Sequence, residues 1–226
     1  NPAKRNSMAV ACVAKAPLLG LLLLLSCPLS RTLPIAAVPA GALAGNLTVS
    51  GGRPVSVVPF AWKTCGDPSD PMQISEMSLE PAPVTFSKTE ERQVIVSLTA
   101  ALSANIVQGS AVKLLVKKRV PYTSVYEKIP CIDHMGSCEW TDACGQLEVL
   151  MPTCNDWFDQ HKISCHCPIV AQSFSAPTST FVIPPVGEYF PSWLADGDFQ
   201  LEVSATDSAG ASLGCVFMQV SVHLDP

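Results

Sequence analysis

Residues 199–224, FQLEVSATDSAGASLGCVFMQVSVHL, decide the fold class. In the second half Val216, Met218, Val220, Val222 and Leu224 recur at every other position, with Phe217, Gln219, Ser221 and His223 between them. A period of two marks a strand with one face buried and the other partly wet. Asp207-Ser208-Ala209-Gly210 breaks the pattern with turn-forming residues, so the segment is predicted to be a hairpin.

The same pattern extends outward along the chain. Met77 and Leu79 alternate with Ser and Glu ahead of Pro81-Ala82-Pro83, and Val94, Val96 and Leu98 alternate with Ile95, Ser97 and Thr99. Residues 111–120, 125–129 and 173–183 are further strand-like runs. Only residues 141–150 read as a helix, with Thr141 as its cap and Leu147 and Leu150 as its apolar side. Twenty prolines oppose long helices. The expected class is all-β: an antiparallel sandwich or cup with one short helix.

Six of the ten cysteines crowd into residues 131–167, CIDHMGSCEWTDACGQLEVLMPTCNDWFDQHKISCHC. Oxidised, they would form small covalent loops that hold a region without its own apolar core. Zinc is the competing reading, through His161, Cys165, His166, Cys167 and Cys154. However, Cys-His-Cys lacks the gap that turns two ligands onto one metal. A Cys–His nucleophile would be exposed to pairing in an oxidising compartment. Disulfides are therefore expected, with no metal and no cofactor. Cys65 and Cys215 stand near the two ends of the chain, placed for a long-range staple.

The oxidising compartment is read from residues 1–44, a leader. From Met8, Lys15 precedes an uncharged run over residues 16–30 with five consecutive leucines. That run is shorter than the roughly 20 residues that span a bilayer, and it has the form of a signal peptide. Cleavage could fall after Ala42-Leu43-Ala44 or earlier, between residues 30 and 37. Leu24-Leu25-Ser26-Cys27 also has the form of a bacterial lipoprotein box, but the cysteine density downstream favours a eukaryotic secretory route. Without the leader, eight cysteines remain, and ten basic groups face nineteen acidic ones for a net charge of −9. Such a balance excludes nucleic acid as a partner, since phosphate binding needs a basic footprint. Residues 45–59 read as a tether with a glycosylation sequon at Asn46, and residues 60–226 as one domain.

Large apolar groups also occur where strands should not. Tyr122, Val125 and Tyr126 lie in a connection, and Tyr189, Phe190, Trp193 and Leu194 follow in a stretch too proline-rich for a central strand. Such groups either fold back onto their own domain or line a ligand mouth or membrane-contacting rim. Beside the first stretch stand Lys113, Lys117, Lys118, Arg119 and Lys128. They suit either a solvated edge strand or a patch that approaches an anionic membrane, and both readings turn them outward. No GxSxG, HExxH, P-loop or GxGxxG motif occurs, so no residue is assigned a catalytic role.

The segments from Ile129-Pro130-Cys131 to Cys138, Cys144, Cys165-His166-Cys167-Pro168, Pro191-Ser192-Trp193-Leu194 and Leu213-Gly214-Cys215 resemble the ganglioside-activator family of lipid-binding β-cups. The likeness runs from Phe60-Ala61-Trp62 to the C-terminus. It implies a sandwich opened into a hydrophobic cavity for acyl chains, lined by strand faces that include Val216, Met218 and Val220. It implies the bridges Cys65–Cys215, Cys131–Cys138, Cys144–Cys167 and Cys154–Cys165, and rim loops at residues 122–126 and 191–194. By the same resemblance the protein is a non-catalytic activator, resident in the lysosomal lumen and also secreted. Its ligand is a glycosphingolipid or phospholipid, its enzyme partner β-hexosaminidase A, and its surface the anionic lysosomal membrane. Departures from the family pattern are Tyr126 in place of a Trp, and the added Tyr189 and Phe190. A general lipid-transfer protein and a receptor-binding module are the alternatives.

Overall fold

The computed structural model describes residues 58–132, 134–154, 156–187 and 192–225. Ten strands form two sheets. The larger is built on β5 (Ala111–Arg119), β9 (Gly197–Thr206) and β10 (Ser212–Asp225), which are antiparallel neighbours. The Asp207–Gly210 turn closes the predicted hairpin: Asp207 Oδ1 accepts from the amides of Ala209 and Ala211, each at 2.8 Å. The free edge of β10 is shared end to end by β1 (Ala61–Thr64), antiparallel, and β3 (Val84–Ser87), parallel. The free edge of β5 is shared likewise by β7 (Glu139–Trp140) and β6 (Tyr126–Lys128). The smaller sheet is β2 (Met72–Glu80), β4 (Arg92–Leu102) and β8 (Gln172–Ile183), with β4 in the centre.

The strands fall where the period of two placed them. β1, β3 and β7 have too few residues to show a period, and β3 also adds one parallel ladder to strands that otherwise pair antiparallel. Pro81 and Pro83 cannot donate to a ladder, so the chain leaves β2 there and rejoins the other sheet as β3. The expected helix is α1 (Ala143–Leu150), but its cap is Asp142, which accepts from the Gly145 amide at 3.1 Å. Two shorter helices, α2 (Asp156–Gln160) and α3 (Ser192–Ala195), join it.

Four disulfides are formed: Cys65–Cys215, Cys131–Cys138, Cys144–Cys167 and Cys154–Cys165. This is the pairing that the resemblance implies. The first closes a separation of 150 residues, tying the start of the domain to its last strand.

The two sheets pack through their apolar faces. The core joins Val84 and Phe86 of β3, Val94 and Val96 of β4, and Phe181 and Ile183 of β8 to Phe199, Leu201 and Val220 of the large sheet. These residues gather toward one end of the sandwich, where β5 ends and β9 begins. At the opposite end Ile74, Met77, Leu98 and Phe174 share the inward phase of the small sheet yet are only half-buried. The inner faces are therefore closed at one end and looser at the other.

Candidate functional site

The connections named as a rim converge on the closed end. Residues 120–125 join β5 to β6, and the segment carrying α3 leads into β9. Val120 accepts a hydrogen bond from the Thr123 amide at 3.1 Å, with Pro121 and Tyr122 at the two central positions of the turn. Tyr122 has a φ of 65°, the left-handed region that this turn geometry normally gives to glycine. Its side chain is 86% exposed, and Val125 beside it is 56% exposed. A strained backbone holding an aromatic side chain in water is the pattern expected of a contact surface rather than a core.

The other rim candidates separate. Tyr126 is not at the tip. It lies on β6 opposite Arg119, where burial and then the nearby Asp198 charge raise its phenol above the usual tyrosine range. Leu194 is buried at 9% exposure and belongs to the core, so its side chain closes the sandwich rather than facing outward. Trp193 lies in α3, with its side chain outside what the structure describes. Tyr189, Phe190 and Asn46 lie outside the described residues.

The five cations are not all turned outward, as both sequence readings required. β5 is an interior strand, paired along β9 on one side and with β6 and β7 on the other. Lys113, Lys117 and Lys128 do face the outer side, where Lys117 and Lys128 are direct cross-strand partners. Arg119 instead reaches Asp198, with Nη1 to Oδ2 at 3.0 Å, and Asp198 is only 3% exposed. Ser221 Oγ donates to the other Asp198 oxygen and accepts from the Val58 amide at 2.9 Å. A buried carboxylate is tolerable only when paired and hydrogen-bonded in this way. The wet face expected for β10 is, at Ser221, a buried polar cluster.

Lys118 is in phase with buried Leu114 and Val116 and opposite Phe199, which turns it inward. Its Nζ lies 5.4 Å from the Phe199 ring centre. A Cβ at Gly197 would come within 2.8 Å of its Cε, so the absence of a side chain there leaves room for the lysine stem. Burial lowers the Lys118 ammonium below the usual lysine range, and the charge of Asp196 offsets this in part. Asp196 Oδ1 is tied to β10, meeting His223 Nδ1 at 2.7 Å and accepting from the Leu224 amide at 3.2 Å.

In the disulfide-rich segment, Cys154, Cys165 and His166 lie close enough to share an ion, but the two sulfurs are bonded to each other and offer no thiolate. The residue there that sequence reasoning missed is Trp157 on α2. It stacks on His161 at 4.8 Å and packs near Phe181, while its Nε1 donates to the buried Ser179 Oγ at 2.7 Å. It thus plugs the segment against the inward face of β8.

Val216 and Val220 are buried and Met218 half-buried on the inner face of β10. The small sheet carries an open groove of about 420 Å³ lined chiefly by Gln73, Ser75, Thr99 and Ser175, which alternate along their strands with the inward Ile74, Ala100 and Phe174, so the groove lies mainly on the outer face and not between the sheets.

The two-sheet fold with this disulfide framework is that of the ML domain, whose family model matches residues 59–222; the chain belongs to that family. It is 33% identical over 166 residues to a ganglioside GM2 activator of Macaca fascicularis, covering 72% of this chain and 83% of that protein. A ganglioside GM2 activator of Mus musculus is 30% identical over 196 residues, covering 82% of this chain and 97% of that protein. A Niemann-Pick type C2 protein from Japanese carpenter ant aligns over 72% of this chain and 98% of its own at 11% identity, with a TM-score of 0.32, too loose to carry an argument.

Proposed function

We propose that this protein is a non-catalytic lipid carrier. It takes the acyl chains of a glycosphingolipid, or of a phospholipid, between its two sheets and meets the membrane through the exposed Tyr122 and Val125 of the 120–125 connection. The partner is a lysosomal glycosidase acting on the lipid headgroup, with β-hexosaminidase A the first to test, and the setting is an anionic membrane of the lysosomal lumen. The observation that carries this reading is the identity to ganglioside GM2 activators across nearly the whole ML domain.

Physical chemistry says why such a carrier is needed. Each buried methylene is worth about 0.8 kcal/mol, so a two-chain lipid does not leave a bilayer unaided on a useful timescale. Apolar strand faces can replace the bilayer as solvent for those chains. The chemistry then belongs to the hydrolase. Titration of the lipid-free protein with fluorescent lipids of increasing chain length, presented as monomers, tests the proposal. Binding should tighten about tenfold for each added pair of methylenes. Affinity independent of chain length would overturn the carrier reading and favour a receptor-binding module.

A further inference from the structure

The outer face of the large sheet carries charge that the fold does not use. Guarding a sheet edge does not account for Lys113 and Lys117, because β5 is an interior strand. Lys117 stands directly opposite Lys128 of β6, and no ion pair joins either one to a carboxylate among the described residues. Like charges facing each other across a ladder are destabilising, so this pair is a cost to the fold. The row continues through Gln200 and Gln219, whose amides cannot neutralise it. In the next row Leu115, Glu202, Phe217 and Lys63 follow one another across four strands. Leu115 and Phe217 are half-buried, and together with Lys117, Gln200 and Glu202 they line a shallow depression. Lys63 Nζ lies 5.4 Å from the Phe217 ring centre. The row beyond pairs Lys113 with Glu139. Across the three rows Lys63, Lys113, Lys117 and Lys128 meet only Glu139 and Glu202, in a chain whose nineteen acidic groups outnumber the ten basic ones beyond the leader.

We infer that this face is a docking surface for an acidic protein, the glycosidase of the proposed function. The inference rests on that reading and adds to it where the enzyme is met and by what chemistry. An apolar centre inside a charged border is the anatomy of a protein–protein interface, and a basic face on an acidic molecule selects an acidic partner and sets its register. A bilayer fits the face less well. Leu115 and Phe217 lie recessed among longer polar side chains, whereas Tyr122 and Val125 stand exposed at the end of the sandwich. From Leu115 to Val120 the extended chain covers about 16 Å, roughly two screening lengths at physiological salt. A molecule standing end-on through the 120–125 connection therefore turns this face sideways, toward a soluble enzyme beside it.

The test measures binding of the protein to immobilised β-hexosaminidase A near pH 5 and at about 0.15 M salt. K117E/K128E should weaken binding about tenfold or more. K88E/K162E makes the same change of net charge at exposed lysines outside the large sheet, and should stay within about twofold of wild type. K128E alone removes the like-charge pair, so it should melt no lower than wild type and still bind the enzyme less tightly. Fluorescent-lipid titration of the same samples should give wild-type affinity throughout, because the face lies outside the two sheets. Enzyme binding unchanged in K117E/K128E, or reduced equally in K88E/K162E, overturns the inference. So does enzyme binding that is kept while K117E/K128E loses co-flotation with phosphatidylserine vesicles, which would make the face a membrane surface. A wild-type protein that takes up lipid but does not bind the enzyme overturns the docking inference and leaves the carrier reading standing, whereas one that takes up no lipid strikes the carrier reading itself.

Discussion

Replacing Asp198 with asparagine tests the polar cluster under the rim. The change is nearly isosteric, but it leaves the Arg119 guanidinium without the carboxylate 3.0 Å away and disturbs the hydroxyl bond from Ser221. Breaking a buried ion pair on one side costs about 3–5 kcal/mol. Arg119 keeps some access to water, with 24% of its side chain exposed, so the lower end, about 3 kcal/mol, is the expected loss. For a domain of this size that corresponds to a fall of about 10 °C in thermal midpoint. Urea unfolding with the disulfides intact, followed by tryptophan fluorescence, measures it. The double variant D198N/R119M removes both charges and should recover to within about 1 kcal/mol of wild type. In D198N the Tyr126 phenol should also titrate lower, since one of the two causes raising it is gone. A D198N protein within about 0.5 kcal/mol of wild type, or a double variant as unstable as the sum of its singles, would refute the reasoning.

Three further outcomes are expected. Removing the long-range staple with C65S/C215S, which opens a loop spanning 150 residues, should lower stability by about 5 kcal/mol in chemical denaturation, whereas a loss below about 1 kcal/mol would mean that the unfolded chain is already restricted there. Tyr122→Gly should relieve a left-handed backbone worth about 1 kcal/mol and raise the thermal midpoint while slowing lipid uptake from vesicles; a less stable variant with normal uptake would remove Tyr122 from the rim. K118M should be more stable than wild type at pH 7 in the absence of lipid. Burial lowers the folded-state pKa of Lys118, so the folded chain holds this proton less tightly than the unfolded chain does. The resulting penalty is full below the folded value and fades as pH rises toward the ordinary lysine value of about 10.4, so calorimetry should show the gap closing in alkaline solution. A K118M protein less stable than wild type at pH 7 would contradict the inward placement.

The long strands were legible because their burial is one-sided. Val94 and Val96 against Ile95, or Val216 and Val220 against Gln219, repeat long enough for a period of two to appear. β1 and β7 were not, because four and two residues show no period, and β3 needed the proline break and a partner at the far end of the chain. Lys118 escaped because hydropathy sorts a lysine to the surface, while its direction is set by register with Leu114 and Val116. Ser221 escaped for the converse reason: polarity alone does not distinguish a wet position from one closed over by Asp198. In α1, Thr141 and Asp142 are both good caps, and only the position of the Gly145 amide chose between them. Trp157 sits in a loop by any local pattern, and only the fold places it beside Ser179.

The central claim is that this chain carries lipid. Native mass spectrometry of the protein expressed in eukaryotic cells and purified without detergent addresses it most directly. The account predicts a population heavier than the polypeptide by the mass of one two-chain glycolipid or phospholipid, lost on organic extraction. A single peak at the mass of the disulfide-bonded polypeptide with whatever covalent modification it carries, unchanged after incubation with glycolipid or phospholipid vesicles near pH 5, would contradict it.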